Sequence, residues 1–392
     1  MMISRREILR LGVLTTIGAA GGSLGLKEAL ADEDLTQYFL FPERESCPKP
    51  VLEEAPARIV EDGLIRAGLF KSPVREMNLL ESRILDNKPT NWLGLPRLME
   101  WVGAGMAHPE WYFGLIIVDA KTASLPTLYG FNRKTGAYFS HGSLSSAKRV
   151  KVAESTWNDV TCFRKPGFNM EVNHRLEQGF HKVKIDIHAS AKKPAVKADL
   201  IWHEDLEKIQ PLVLMSPLGG THFMYNHKAQ MPVEGAMKVG DQEMTFDPGR
   251  DIANMDELKS CAGLKNKYNW FNFGGFDPKG RIVGLNASHS EQRRDHYWTE
   301  NCIWAGNRLS LVGPVRFEFS PKDIMKPWRA YDEEGRVDVT FYPEGGKTIN
   351  LSPLGKYYQK CGRFRGALVD GSGETHAVND YYGCAEYMNV LN

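Results

Sequence analysis

Lys182-Val183-Lys184-Ile185-Asp186-Ile187-His188 alternates polar and apolar side chains without a fault. Successive side chains of an extended chain point to opposite faces, so this stretch buries one face and wets the other, as an antiparallel strand does. Val315-Arg316-Phe317-Glu318-Phe319 and Arg336-Val337-Asp338-Val339-Thr340-Phe341 repeat the pattern, and the unbroken apolar run Leu115-Ile116-Ile117-Val118 reads as a strand covered on both sides. Turn-rich pieces stand between them: Asn132 to Gly136, Gly240-Asp241, and three of the form D-x-x-G at Asp277 to Gly280, Asp332 to Gly335 and Asp370 to Gly373. An Asp that caps its own turn and a Gly that accepts positive φ suit a tight hairpin. Helical periodicity is scarce, with short candidates around Pro73 to Leu85 and Leu95 to Trp101. Many strands, regular hairpins and no βαβ alternation predict an all-β protein of antiparallel barrels or sandwiches with few short helices.

The N-terminus reads differently. Ser4-Arg5-Arg6-Glu7-Ile8-Leu9-Arg10 resembles a twin-arginine export signal, followed by the mildly apolar, glycine-broken Leu11 to Leu26 and the small-residue end Ala29-Leu30-Ala31. A charged start, a short apolar middle and an A-x-A end make residues 1–31 read as a removable signal, too short and glycine-rich for a stable membrane span, with an N-terminal anchor or an amphipathic helix as the plainer alternative. The resemblance implies the twin-arginine export machinery as a partner and the periplasm as destination. Without that segment the chain carries 45 Lys and Arg against 46 Asp and Glu over 361 residues. Near-neutrality excludes the basic excess of a nucleic-acid binder, and the length favours two domains. The six cysteines (Cys47, Cys162, Cys261, Cys302, Cys361, Cys384) form no C-x-x-C pair, which argues against a zinc site and a dense disulfide scaffold.

Other motifs are missing too. There is no GxxxxGK[ST] phosphate loop: Gly346-Lys347-Thr348 has Phe341 where the first loop glycine belongs. No strand-linked GxGxxG and no H-E-x-x-H occurs, and the G-x-S-x-G match at Gly21 to Gly25 lies inside the signal segment, so cofactor enzymes, serine hydrolases and zinc hydrolases are disfavoured and no cofactor or metal is expected.

Aromatic and amide residues concentrate in the C-terminal half: Thr221-His222-Phe223-Met224-Tyr225-Asn226-His227-Lys228, Tyr268-Asn269-Trp270-Phe271-Asn272-Phe273, Thr299-Glu300-Asn301 and Trp304. The order of Tyr268 to Phe271, Gly280 to Asn286, Thr299 to Asn301, Arg336 to Pro343 and Gly362 to Asp370 resembles an uncharacterised bacterial family similar to the carotenoid hydratases and other double-lipocalin (calycin) proteins. The resemblance spans about residues 210 to 390 and implies two lipocalin-like barrels packed together around an apolar ligand. With a seam near Lys192 to Pro211, the domains are expected at 32–205 and 206–392.

Adding water to an alkene, removing it, or moving the double bond requires a protonated acid and aromatic faces for the developing cation. A carboxyl in an apolar wall stays protonated because ionisation costs desolvation. Asp256 is the first candidate acid and Glu300 the second, with His222 and Tyr268 as relays and Trp270, Trp304 and Phe273 as walls. Tyr225, Asn226, Lys228, Asn272 and Asn301 complete the candidate ligand contacts. Each has a plainer alternative: Asp256 capping a short helix with Glu257-Leu258-Lys259, Glu300-Asn301 fixing a strand bend, His222 as a structural histidine. Two functions stand, a hydratase, lyase or isomerase of a hydrophobic lipid-like or terpenoid-like molecule, and a non-catalytic periplasmic carrier of such a ligand.

Overall fold

The computed structural model describes residues 35–42, 51–85, 98–261, 265–291, 299–350 and 355–391, so the signal at 1–31 and Cys47 lie outside the described residues. The alternating stretches are strands, at Phe180–Ile187, Val315–Glu318 and Val337–Asn350, and the continuous apolar run lies in Trp111–Asp119. The three D-x-x-G turns close as expected: Asp277 Oδ1 accepts from the Lys279 and Arg281 amides at 2.9 Å, Asp332 Oδ1 from the Val337 amide at 2.7 Å, and Asp370 Oδ1 from the Ser372 amide at 2.8 Å. Gly280, Gly335 and Gly373 take positive φ of 74°, 70° and 86°. Every helical segment among the described residues is a three-residue 3-10 turn, as at Leu79–Glu81. No helix among them is long and apolar enough to cross a membrane.

The short helix expected up to Trp101 is instead the strand Leu98–Ala107, hydrogen-bonded along both edges to Ile252–Cys261 and Trp111–Asp119. Two full ladders outweigh a weak local helix preference.

Two large antiparallel sheets carry the fold. The central strands of the first run, in spatial order, Trp111–Asp119, Leu98–Ala107, Ile252–Cys261, His222–Val239, Val196–His203, Phe180–Ile187 and Phe168–Arg175. The second has nine strands, with Ile282–Ser290, Lys265–Phe276, Thr375–Leu391, Gly355–Val369 and Val337–Asn350 at its centre. The stretch Lys192 to Pro211, where a seam was expected, contains the strand Val196–His203 of the first sheet; the chain passes from the last strand of that sheet, Ile252–Cys261, to the second at Lys265.

Each sheet curls around its own apolar core. The first encloses Phe113, Ile117, Val183, Ile185, Trp202, Met231 and Met255. The second encloses Phe271, Phe273, Trp328, Phe341 and Phe364, with the Phe273 and Phe364 rings stacked at 4.4 Å. Phe273 was expected to wall a hollow, and it instead fills the curve of the sheet together with the other rings. Each such buried ring contributes on the order of 2 kcal/mol.

Between the sheets, Tyr112, Tyr129 and Phe131 meet Cys361, Tyr382 and Cys384. Close approach depends on glycine. A Cβ on Gly274 would collide with Gln230 Oε1, and one on Gly284 would stand 3.0 Å from Gln230 Cδ. Seated there, Gln230 Nε2 donates to Asn272 Oδ1 and to the Phe273 carbonyl, both at 3.3 Å.

Candidate functional site

Strand register assembles the site. Lys228 pairs with Asp256, which pairs with Gly103, so Lys228 and Asp256 project from one face of the first sheet. On the second sheet Tyr268, Trp270 and Asn272 share a face while Phe271 and Phe273 turn into the core. The two faces meet. The Lys228 ammonium contacts Asp256 Oδ1, lies 3.2 Å from Glu300 Oε2 and stands 5.0 Å over the Trp270 ring. Burial disfavours its charge, but Asp256 and Glu300 outweigh that and hold its pKa above the usual lysine value. Trp101 Nε1 donates to Asp256 Oδ2 at 3.1 Å. Asp256 lies mid-strand in Ile252–Cys261, so the helix-cap alternative is withdrawn; sheet pairing on both sides holds it extended.

An amide network fixes the second wall. Trp270 Nε1 donates to Asn286 Oδ1 at 2.8 Å, and Asn286 Nδ2 donates to the Glu300 carbonyl at 2.7 Å. Ser288 Oγ donates to Glu300 Oε1 at 2.7 Å. Asn301 bridges the Ser288 amide and the Gly313 carbonyl at 2.7 and 2.8 Å, pinning the chain that presents Glu300.

Beside Trp270, across the strand pair, is Glu386. Its carboxyl accepts from Tyr268 OH at 2.8 Å, Tyr357 OH at 2.9 Å and Gln359 Nε2 at 2.6 Å. Burial pushes its pKa above the ordinary carboxyl value, the three donors pull it back only in part, and the charge of Asp256 adds to the rise. Burial also raises Tyr268 and Tyr357 well above the usual phenol value, so both remain donors. Trp101, Asp256, Tyr268, Trp270, Tyr357 and Gln359 are all partly exposed, so solvent reaches this aromatic-lined junction, the candidate cleft.

The structure therefore brings together Lys228, Asp256, Tyr268, Trp270, Asn272 and Glu300, with Asn301 behind them. Asn226 shares the Lys228 face, fully buried, its amide unpartnered among the described residues. Elsewhere lie Tyr225, in the apolar cluster of Leu214 and Phe70, and Trp304, whose Nε1 donates to the Gln210 carbonyl at 2.9 Å. Phe273 is in the second core, and His222 begins its strand opposite Gly219. Sequence reasoning missed Trp101, Tyr357, Gln359 and Glu386. Its one available signal was a lone carboxylate in the otherwise uncharged run Tyr381 to Met388.

Behind the cleft, inside the first sheet, runs a chain of buried polar groups. His174 Nδ1 meets His181 Nδ1 at 3.1 Å, and Glu204 bridges His181 Nε2 and His227 Nε2 at 2.7 Å each. His227 Nδ1 meets Glu257 at 3.1 Å, and Lys259 lies 3.6 Å from Glu257 and 3.1 Å from Glu100. Burial opposes the His227 charge, yet Glu204 and Glu257 push its pKa up to about 9; Glu204, against the same burial, is held down to about 2 by His227 and His181. Asp370, Glu374 and His376 could converge on a metal ion, but Asp370 is saturated by its turn and by His376 at 3.0 Å, and Glu374 by Arg281.

Residues 53–390, which hold both sheets and every cleft residue, match one family profile. The chain belongs to the family described as Domain of unknown function (DUF2804). No curated protein matches this DUF2804 chain in sequence. In fold it is similar to CghA, solved with Sch210972, with a TM-score of 0.51 and 11% identity over 75% of this chain and 88% of that one. It is also similar to kievitone hydratase from Nectria haematococca, with a TM-score of 0.45 and 10% identity over 75% of this chain and 89% of that one. The DUF2804 fold is thus all-β and lipocalin-like, two curled antiparallel sheets set against each other.

Proposed function

We propose that the cleft between the sheets binds a largely apolar small molecule and carries out acid–base chemistry at one of its double bonds, as hydration, elimination or isomerisation. The observation that carries this reading is Glu386: a buried carboxyl with a raised pKa, held by two phenols and an amide beside the face of Trp270. Glu386 is the proton donor, Trp270 and Tyr268 stabilise developing positive charge, and Asp256, fixed by Lys228 and Trp101, is the fixed negative charge facing it. Asp256 thereby passes the acid role to Glu386. CghA was solved with Sch210972, which supports a ligand in a frame of this kind. The twin-arginine pattern at residues 4–10 extends the proposal to the periplasm, testable by cell fractionation with Arg5 and Arg6 changed to lysine.

The test begins with small molecules co-purified with the protein, identified by mass spectrometry and incubated with it in deuterated water. Carbon-bound deuterium appearing with the wild type and not with Glu386→Gln supports the acid. A ligand that binds both proteins and never takes up deuterium makes the protein a carrier.

A further inference from the structure

A bulge decides what else faces the cleft. Along Val337–Asn350, the residues Val337, Val339 and Phe341 pair with Leu368, Gly366 and Phe364 and point into the second core. The register shifts between Pro343 and Gly345, and beyond it Gly345 and Lys347 pair with Cys361 and Gln359, which face the other way. One extra residue has reversed the phase of the strand. Without the bulge Lys347 would enter the phenylalanine core; with it, Lys347 joins a cross-strand ladder with Gln359, Glu386 and Trp270.

Lys347 differs from the other cleft cation. Lys228 is matched by Asp256 and Glu300. The Lys347 ammonium has no hydrogen bond or ion pair among the described residues, although its side chain is half-buried. Burial lowers its pKa below the usual lysine value, and the neighbouring Glu386 only partly restores it. A half-buried cation without an anion is costly, and such costs persist where a ligand removes them.

We propose that Lys347 is the subsite for an anionic oxygen of the bound molecule, so that the cleft takes an apolar organic acid (a carboxylate or readily enolised carbonyl on a hydrocarbon body) with its charged end at Lys347 and its reacting carbons at Glu386 and Trp270. This deepens the cleft reading above and rests on it. Gln359 and Glu386 then sit between the anchored oxygen and the aromatic wall, the order in which a conjugated acid would lie.

The experiment titrates two probes of equal length, dodecanoate and dodecanol, into the full chain, followed by tryptophan fluorescence and calorimetry. The wild type is expected to bind dodecanoate at least ten-fold more tightly than dodecanol, Lys347→Met to abolish that difference while leaving dodecanol affinity unchanged, and Lys347→Arg to preserve it. The preference should also decline with rising pH at a value below that of an ordinary lysine, which a structural role would not produce. Equal affinities in the wild type, or a preference that survives in Lys347→Met, overturn the anion subsite while dodecanol binding lost in Trp270→Ala still upholds the cleft. If neither probe binds, the subsite and the cleft reading fall together.

Discussion

His227 Nε2 stands 2.7 Å from Glu204 Oε1 inside the first sheet, and neither side chain is exposed to solvent. The pair sets a pH window for stability. His227, raised to about 9 from an ordinary 6.5, contributes stability that is fully present below pH 6.5 and lost as pH rises through 9. Glu204, lowered to about 2 from 4.5, contributes stability present above pH 4.5 and lost as pH falls toward 2. The two displacements describe one interaction, on the order of 3 kcal/mol, to be counted once. Thermal melts of the wild type should therefore show a steep decline between pH 6.5 and 9 that is much flatter in His227→Gln. Parallel alkaline limbs in the two proteins would show that His227 is not charged in the folded state.

The contact between Gln230 and Gly274 gives a second expectation. A methyl at Gly274 meets Gln230 Oε1 and the nearby Asn254 amide, both held between sheets. Gly274→Ala should cost about 1–3 kcal/mol in denaturant unfolding, and pairing it with Gln230→Ala should recover much of that loss. Full additivity of the two substitutions would place the conflict elsewhere.

Lys228 joins two carboxylates that repel each other once it is removed. Lys228→Met should destabilise the fold by about 3–5 kcal/mol, because Asp256 and Glu300 remain partly buried without a counter-charge. Lys228→Met combined with Asp256→Asn should regain most of that loss. Urea midpoints of the three proteins decide the matter, and a double variant no better than the single one contradicts the charge argument.

What the sequence shows and hides follows from the range of the interactions. Lys182 to His188 and the turns at Asp277, Asp332 and Asp370 are settled within a few residues, by alternation and by an Asp closing its own turn, so strand and hairpin are legible there. The core side of Phe273 and the cleft side of Trp270 follow from parity, but nothing local says which side is the cleft. Glu386 was hidden because Tyr268 and Tyr357, which give its carboxyl a role, are 118 and 29 residues away. The helix-cap alternative for Asp256 failed for the opposite reason: Asp-Glu-Leu-Lys has a good local helix start, overruled by ladders on both sides. Lys347 depends on a bulge at Pro343 that reverses strand parity, and Gly345-Gly346 marks a break without stating its direction.

The last expectation concerns the proton on Glu386. Tyr268, Tyr357 and Gln359 donate to its carboxyl, and donation stabilises the ionised form, so these bonds restrain a pKa that burial has raised. Removing a donor should therefore move the pKa further up. Tyr268→Phe keeps the ring, removes the hydroxyl and leaves burial almost unchanged, which isolates the hydrogen bond from the desolvation. In protein carrying carbon-13 at the glutamate carboxyls, the Glu386 resonance, assigned by its loss in Glu386→Gln, should titrate above the ordinary glutamate value in the wild type, higher in Tyr268→Phe and higher again when Tyr357→Phe is added. A downward movement would mean that the phenols accept a proton from Glu386, and the acid would then act through Tyr268 rather than directly.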